Sequence, residues 1–153
     1  MTDETYMRMA LDLAREAATA GEVPVGAVII MADQIVGRGR NSPIERSDPT
    51  AHAEILALRE ACAARQNYRL EGAVLYTTLE PCVMCAGSLV AARIARVVFG
   101  ARDLRFGGIR SKFRLADAEV LNHRLEIEEG VLGAGCAELM QRFFAERRHA
   151  NNL

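Results

Sequence analysis

The sequence predicts an α/β fold: a three-layer α-β-α arrangement with a central mixed sheet of about five strands and helices on both faces. Two observations carry this. Segments with helical spacing of apolar residues alternate along the chain with short apolar or β-branched runs of strand length. The 153 residues (16.7 kDa), 50% hydrophobic and 25% charged, also have the size and makeup of one packed domain of roughly 15 Å radius. A single domain over residues 1–153 is expected, since no repeat, low-complexity segment or internal linker interrupts it.

The first element is a helix in which Met7, Ala10, Leu11, Ala14, Ala17 and Ala18 recur at steps of three and four, ending near Gly21. Val25 to Met31 and Gln34 to Gly39, separated by Ala32-Asp33, read as a β-hairpin. Asn41 to Pro49 is rich in Asn, Ser, Pro and Asp and reads as a loop. A helix follows from His52 to Arg65 with Ile55, Leu58 and Cys62 on one face, then a strand from Ala73 to Thr78. Pro81 suits the first turn of the next helix, Cys82 to Arg93, where no backbone donor is needed. Ile94 to Gly100 and, less strongly patterned, Arg124 to Glu128 complete the strands. Cys136, Leu139, Met140, Phe143 and Phe144 form the stripe of a closing helix.

Composition excludes several classes of function. Nineteen basic and 20 acidic residues leave a formal charge of −1, so bulk charge does not advertise a nucleic-acid partner. No apolar run approaches the roughly 18 to 20 residues of a membrane span. Met1 to Arg15 carries charges where a signal peptide needs an apolar stretch. A cytoplasmic protein with no membrane partner is expected. Four cysteines are too few for a disulfide scaffold, whereas the two-residue gap between Cys82 and Cys85 is that of metal or redox chemistry.

The chemistry concentrates in His52-Ala53-Glu54 and Pro81-Cys82-Val83-Met84-Cys85. Cys82 and Cys85, one helical turn apart, can share an ion. At a helix start their thiols face unpaired N–H groups and the positive dipole end, which favour the thiolates a metal requires. Two thiolates and one imidazole suit Zn²⁺, and three protein ligands leave a fourth tetrahedral position for water. Such a water ionises near neutral pH instead of near ~15.7, and a neighbouring carboxylate, Glu54, can carry its protons. Residues two apart on a regular helix point roughly 200° apart, so His52 must lie in an imperfect first turn for Glu54 to serve the same site.

Alone, Cys-x-x-Cys fits equally a redox pair or half of a structural zinc site. The His-x-Glu partner favours an open catalytic site, because Cys62, Cys136, His123 and His149 lack the paired spacing that further structural ligands would show. Cys62 and Cys136 fall on apolar stripes and are expected to be buried packing residues. His123 and His149 are expected to be ordinary surface or loop residues.

The combination of His-x-Glu with Pro-Cys-x-x-Cys resembles the zinc-dependent cytidine deaminase-like superfamily, whose signature this is. Five segments resemble more narrowly its bacterial branch acting on tRNA adenosine: Glu22 to Val28, Asp48 to Ile55, Leu79 to Ala86, Val97 to Asp103, and Asn122 to Arg124. The resemblance spans nearly the whole chain. It implies one Zn²⁺ per subunit on His52, Cys82 and Cys85, and Glu54 as catalytic proton shuttle. The implied reaction is hydrolysis of adenosine to inosine at the wobble position of a tRNA anticodon stem-loop, by attack of zinc-bound hydroxide on C6 with loss of ammonia. It further implies that Asn41 holds the target base, that Ala53 presents backbone to the ring, that Val25 takes part in substrate binding, and that the protein is a homodimer. The chain departs from the branch at Arg40, where Trp is common, and across Leu104 to Phe113, where a small Gly/Ala-rich segment is usual.

Residues 102–114 carry five basic side chains against one acid, Asp103, interleaved with Phe106 and Phe113. This composition fits a loop that grips phosphates and stacks on splayed bases, and equally a solvated loop whose aromatics cap the core. Candidate RNA contacts are Asp103, Arg105, Phe106, Arg110 and Lys112, with Phe144, Arg147 and Arg148 repeating the pattern near the C-terminus. Two other functions compete: deamination of a free base or nucleoside such as guanine or cytidine on the same scaffold, and a non-enzymatic zinc-stabilised binding module with four protein ligands.

Overall fold

The structure, a computed structural model, describes residues 1–151. A five-stranded sheet runs in the order β2-β1-β3-β4-β5. Strands β1 (Gly26–Met31) and β2 (Gln34–Arg40) form the expected antiparallel hairpin. Ala32 and Asp33 take positive φ angles of 48° and 60°, as the tightest hairpin turns require. Strand β3 (Val74–Leu79) pairs antiparallel with β1 and parallel with β4 (Arg96–Ala101), which pairs parallel with β5 (Glu126–Glu129). The sheet is therefore mixed, with β1 running against the other four strands.

Side-chain alternation along the strands sends two sets of apolar residues to opposite faces. Ala27, Ile29, Leu75, Val97 and Phe99 pack under helices α3 (Ala53–Arg65) and α4 (Val83–Ala91). Val28, Ile30, Tyr76 and Val98 pack against α1 (Asp3–Thr19) and α5 (Gly133–Asn151). Helices thus cover both faces, in the cytidine deaminase-like α-β-α arrangement. Helix α1 is capped by the Thr2 hydroxyl, which accepts from the Thr5 N–H at 3.2 Å. Helix α3 lies unusually close to β2: a Cβ on Gly39 would overlap the carbonyl oxygen of Ala53, and one on Gly37 that of Ala57. The small residues Ala53, Ala57 and Ala61 complete this close approach and fix where α3 begins.

Several boundaries differ from the sequence reading. The loop after β2 contains one helical turn, α2 (Pro43–Arg46), because buried Glu22 accepts from the N–H groups of Ile44 and Glu45 at 3.2 and 2.8 Å. The fourth helix starts at Val83, not Cys82, because Cys82 is extended and bridges to Gly107. Pro81 therefore precedes the cap instead of opening the first turn. Cys136 is buried as expected, whereas Cys62 is only half-buried. His123 lies in the loop before β5, as expected, with its Nε2 2.7 Å from the Ile94 carbonyl oxygen. Among the described residues no helix is long and apolar enough to cross a membrane.

Candidate zinc centre and substrate pocket

Two helix starts converge on one site. His52 is the N-cap of α3 (φ −75°, ψ 151°) and Cys82 the N-cap of α4 (φ −73°, ψ 179°). Both are extended, and neither side chain caps its helix. Their carbonyls accept the first intrahelical bonds, from Leu56 N–H at 3.1 Å and Ala86 N–H at 2.8 Å, so each side chain is free to turn outward ahead of its helix. This removes the 200° difficulty: His52 is outside the regular helix, and Glu54, in its first turn, reaches the same region. Nδ1 of His52 lies 3.6 Å from the sulfur of Cys82 and 3.6 Å from that of Cys85.

These three side chains fit zinc. A tetrahedral ion with Zn–S near 2.3 Å and Zn–N near 2.0–2.1 Å places its N and S donors about 3.5 Å apart, which is the spacing found. The three ligand atoms all lie within 4.8 Å of one another, and no fourth Cys or His joins them among the described residues. Cys62, Cys136, His123 and His149 stand apart, so the four-ligand structural site lacks its fourth donor.

Electrostatics favour the same use. The Cys82 thiol is pulled down to about 4, first by the hydrogen bond from Cys85 and then, against its burial, by His52. The Cys85 thiol is correspondingly raised by Cys82 and by burial. His52 is raised, mainly through Cys82, which outweighs its own burial. Glu54 is 4% exposed, and burial pushes its carboxyl up to about 7, although its own backbone N–H and the charge of His52 pull the other way. A buried carboxyl that titrates near neutrality is suited to both taking and giving a proton.

The site opens on a cavity of about 590 Å³. Of the residues expected to act here, Val25, Asn41, His52, Glu54 and Cys82 line it, joined by Asp103, Arg105 and Phe106 from the basic segment. Cys85 is fully buried at its floor beside His52. Ala53 is buried against Gly39. Phe106 is 61% exposed and does not cap the core, which favours an aromatic available to a ligand. Lys112 is also exposed.

The other candidate RNA contacts divide. Arg110 forms a bidentate pair with Asp117 at 3.0 and 3.0 Å, so its charge is engaged within the protein. Arg147 lies 4.8 Å over the Phe143 ring and donates to the Gly21 carbonyl, tying α5 to the end of α1. Phe144 and Arg148 line a second hollow along α5, shared with Leu104 and Arg105. Asp103 accepts from the N–H groups of Arg105 and Phe106, both at 3.1 Å, and shapes the turn that presents them.

Sequence reasoning missed two buried carboxylates, Glu80 lining the pocket and Glu22 beneath the segment that carries Asn41 and Pro43. Glu22 holds the 41–46 segment, as above. Glu80 accepts from the N–H groups of Asp103, Ile109, Arg110 and Ser111 and from the Ser111 hydroxyl. Burial would raise the Glu80 carboxyl, but these donors hold it below its ordinary value. Both fall in segments that carry the family resemblance, Glu22 to Val28 and Leu79 to Ala86, but nothing in the residue pattern assigns either a role.

Residues 1–101 match the family of the cytidine and deoxycytidylate deaminase zinc-binding region. The chain belongs to this family. It is 49% identical over 99% of its length, and 88% of the relative's, to the tRNA-specific adenosine deaminase of Haemophilus influenzae. Among solved structures it resembles one from studies of A-to-I editing by tRNA:A34 deaminases at the wobble position of transfer RNA. The TM-score is 0.85 and identity 40%, with 88% of this chain and 98% of that one covered. A guanine deaminase from Bacillus subtilis is 41% identical, with a TM-score of 0.64 over 67% of this chain and 66% of its own.

Proposed function

We propose that this protein is a zinc-dependent hydrolase that converts adenosine to inosine at the wobble position of a tRNA anticodon loop. The observation that carries the reading is buried Glu54 beside a three-donor His-Cys-Cys site at the floor of a cavity walled by exposed aromatic and basic residues. The relatives' names supply the substrate. His52, Cys82 and Cys85 hold the metal. Zinc, when bound, acidifies a coordinated water toward neutral pH and so supplies the nucleophile for C6.

Glu54 carries two protons in turn, taking the first from the attacking water and giving it to N1 of the purine ring, then taking the second from the oxygen now bonded to C6 and giving it to the amine as the C6–N bond breaks, so that adenosine and water become inosine and ammonia. Asn41 offers an amide donor and acceptor to the edge of the base, with Val25 beside it and the backbone of Ala53 behind. Arg105 and Phe106 at the mouth, with Lys112, Phe144 and Arg148 farther out, receive the flanking phosphates and bases. Asp103, Arg110 and Arg147 act by shaping these surfaces. The reading includes one zinc-dependent domain over residues 1–153, a homodimer by resemblance to the family, and a cytoplasmic location, where tRNA is available.

The test is to incubate purified protein with total tRNA and sequence for new inosines. Inosine at position 34 of a tRNA is the expected result. Turnover of free guanine or cytidine at rates rivalling an anticodon stem-loop would instead make this a free-base or nucleoside deaminase, an alternative kept in view by the similarity to guanine deaminase.

A further inference from the structure

Between β4 and β5 the residues that wall the pocket, 103–113, form no strand or helix. A segment of that kind holds its shape only if its backbone N–H groups find fixed partners. Four of those groups here share one side chain. Glu80 is 2% exposed, and its Oε1 accepts from Asp103 N–H at 3.1 Å and from the Ser111 hydroxyl. Its Oε2 accepts from the N–H groups of Ile109, Arg110 and Ser111 at 3.1, 2.8 and 2.9 Å. All five donors belong to the segment, so the buried charge is satisfied by the segment itself. Hydrogen bonds to an ionised acceptor are the strong kind, and leaving a buried carboxylate without them is costly.

The arrangement reaches the pocket by a short route. Asp103, held through its own N–H, accepts at its carboxylate from the N–H groups of Arg105 and Phe106. Phe106 at the pocket mouth is therefore two hydrogen bonds from Glu80. The segment also meets the metal site, since Gly107 bridges to Cys82 and Gly108 N–H donates to the Pro81 carbonyl at 2.8 Å. Gly107 must be glycine here, because any Cβ would overlap the Glu80 carboxylate.

We propose that Glu80 is a positioning residue. It holds the 103–113 segment as the wall that receives nucleotides flanking the target adenosine, and thereby sets the preference for an RNA loop. This rests on the function proposed above. Glu80 borders the pocket, but both its carboxylate oxygens are taken up by the segment's donors, so it acts through Asp103 and Phe106.

The test uses Glu80→Gln in the full-length zinc-loaded protein, which keeps volume but turns one acceptor into a donor facing N–H groups. Amide exchange at Asp103, Ile109, Arg110 and Ser111 should quicken by about tenfold or more, with one zinc per chain retained. KM for an anticodon stem-loop should rise by about tenfold while kcat changes by less than about threefold. In a Phe106→Ala background the same change should raise KM far less, because the element it positions has gone. Gly107→Ala, which keeps Glu80 but drives a methyl against its carboxylate and so separates it from the segment's donors, should reproduce the KM effect and substitutes for Glu80→Gln if that variant does not fold. Equal KM effects with and without Phe106, or a fall in kcat and zinc content at unchanged KM, would overturn the proposal. Failure of the parent protein to edit the stem-loop at all would instead sink the proposed function, and unchanged amide exchange in Glu80→Gln would sink the positioning role alone.

Discussion

Glu54 follows the ligand His52 by two residues, yet its environment is different: it is buried, and burial, outweighing its own backbone N–H and the charge of His52, pushes its carboxyl up to about 7. Replacing it with Gln keeps shape and polarity but removes the titrating group. Zinc content and melting behaviour should stay near those of the parent, while deamination slows by on the order of 10² to 10⁴; near-normal turnover would refute the shuttle. Cys82→Ala is expected to fail differently. With one thiolate gone the remaining donors hold zinc weakly, so metal content should fall and, because binding contributes to folding, the melting temperature with it. Cys62→Ala, at a half-buried position on the outer part of α3, should keep both zinc and activity. His52, Glu54, Cys82 and Cys85 were legible in the sequence because their residue types and spacing are themselves the chemistry. Glu22 and Glu80 were not, because their partners are backbone N–H groups, which every non-proline residue carries and no residue pattern records.

Elements were legible where periodicity decides them and blurred where a tertiary contact sets their ends. The hairpin at Ala32-Asp33 and the stripe of α1 follow from local pattern, whereas the start of α4 was displaced by the Cys82–Gly107 bridge and α2 was induced by Glu22. The β2–α3 contact makes an element-level prediction. Gly39→Ala places a methyl against the Ala53 carbonyl, and overpacking of this kind costs about 1–3 kcal/mol. Since Ala53 opens the helix that His52 caps, zinc affinity should fall along with denaturant stability. A variant as stable and as tightly zinc-bound as the parent would show that α3 can move freely. The 103–113 segment makes another. Arg105 and Lys112 are exposed, whereas Arg110 is engaged by Asp117. Neutralising Arg105 and Lys112 together should weaken stem-loop binding and flatten its salt slope, as each lost phosphate contact removes counterion release of about 0.7–0.9 per charge. Arg110→Gln should leave the slope unchanged. Titrations at several salt concentrations decide both, and an unchanged slope in the double variant would remove these residues from the RNA surface.

At the scale of the whole molecule, the sequence reading reached the layered fold but not the strand order, because pairing of β3 with both β1 and β4 depends on contacts between residues far apart in sequence. One such contact ties the first helix across the centre of the sheet. Asp3, in the first turn of α1, accepts from Arg96 at the start of β4 at 3.0 and 2.8 Å and from the Tyr76 hydroxyl of β3 at 2.6 Å. The Arg96 hydrogen bonds lower the Asp3 carboxyl from its ordinary 3.8, against burial and with help from Tyr76. A carboxyl lowered in the folded state adds stability that is present above its unfolded value and is lost as pH falls through its folded one. Asp3→Asn should therefore melt below the parent at pH 7, with the gap narrowing as pH drops below about 4 toward the folded pKa and closing beneath it. Partial exposure keeps the effect modest, so the informative quantity is the difference between the two melting curves across pH. Arg96 and Tyr76 predict how the difference behaves. Tyr76→Phe removes one donor and should reduce the gap produced by a subsequent Asp3→Asn, since the two share one network. Thermal melts of parent, single and double variants between pH 3 and pH 7 measure this, and a gap that stays constant down to pH 3 would mean that the Asp3 charge does not hold α1 to the sheet.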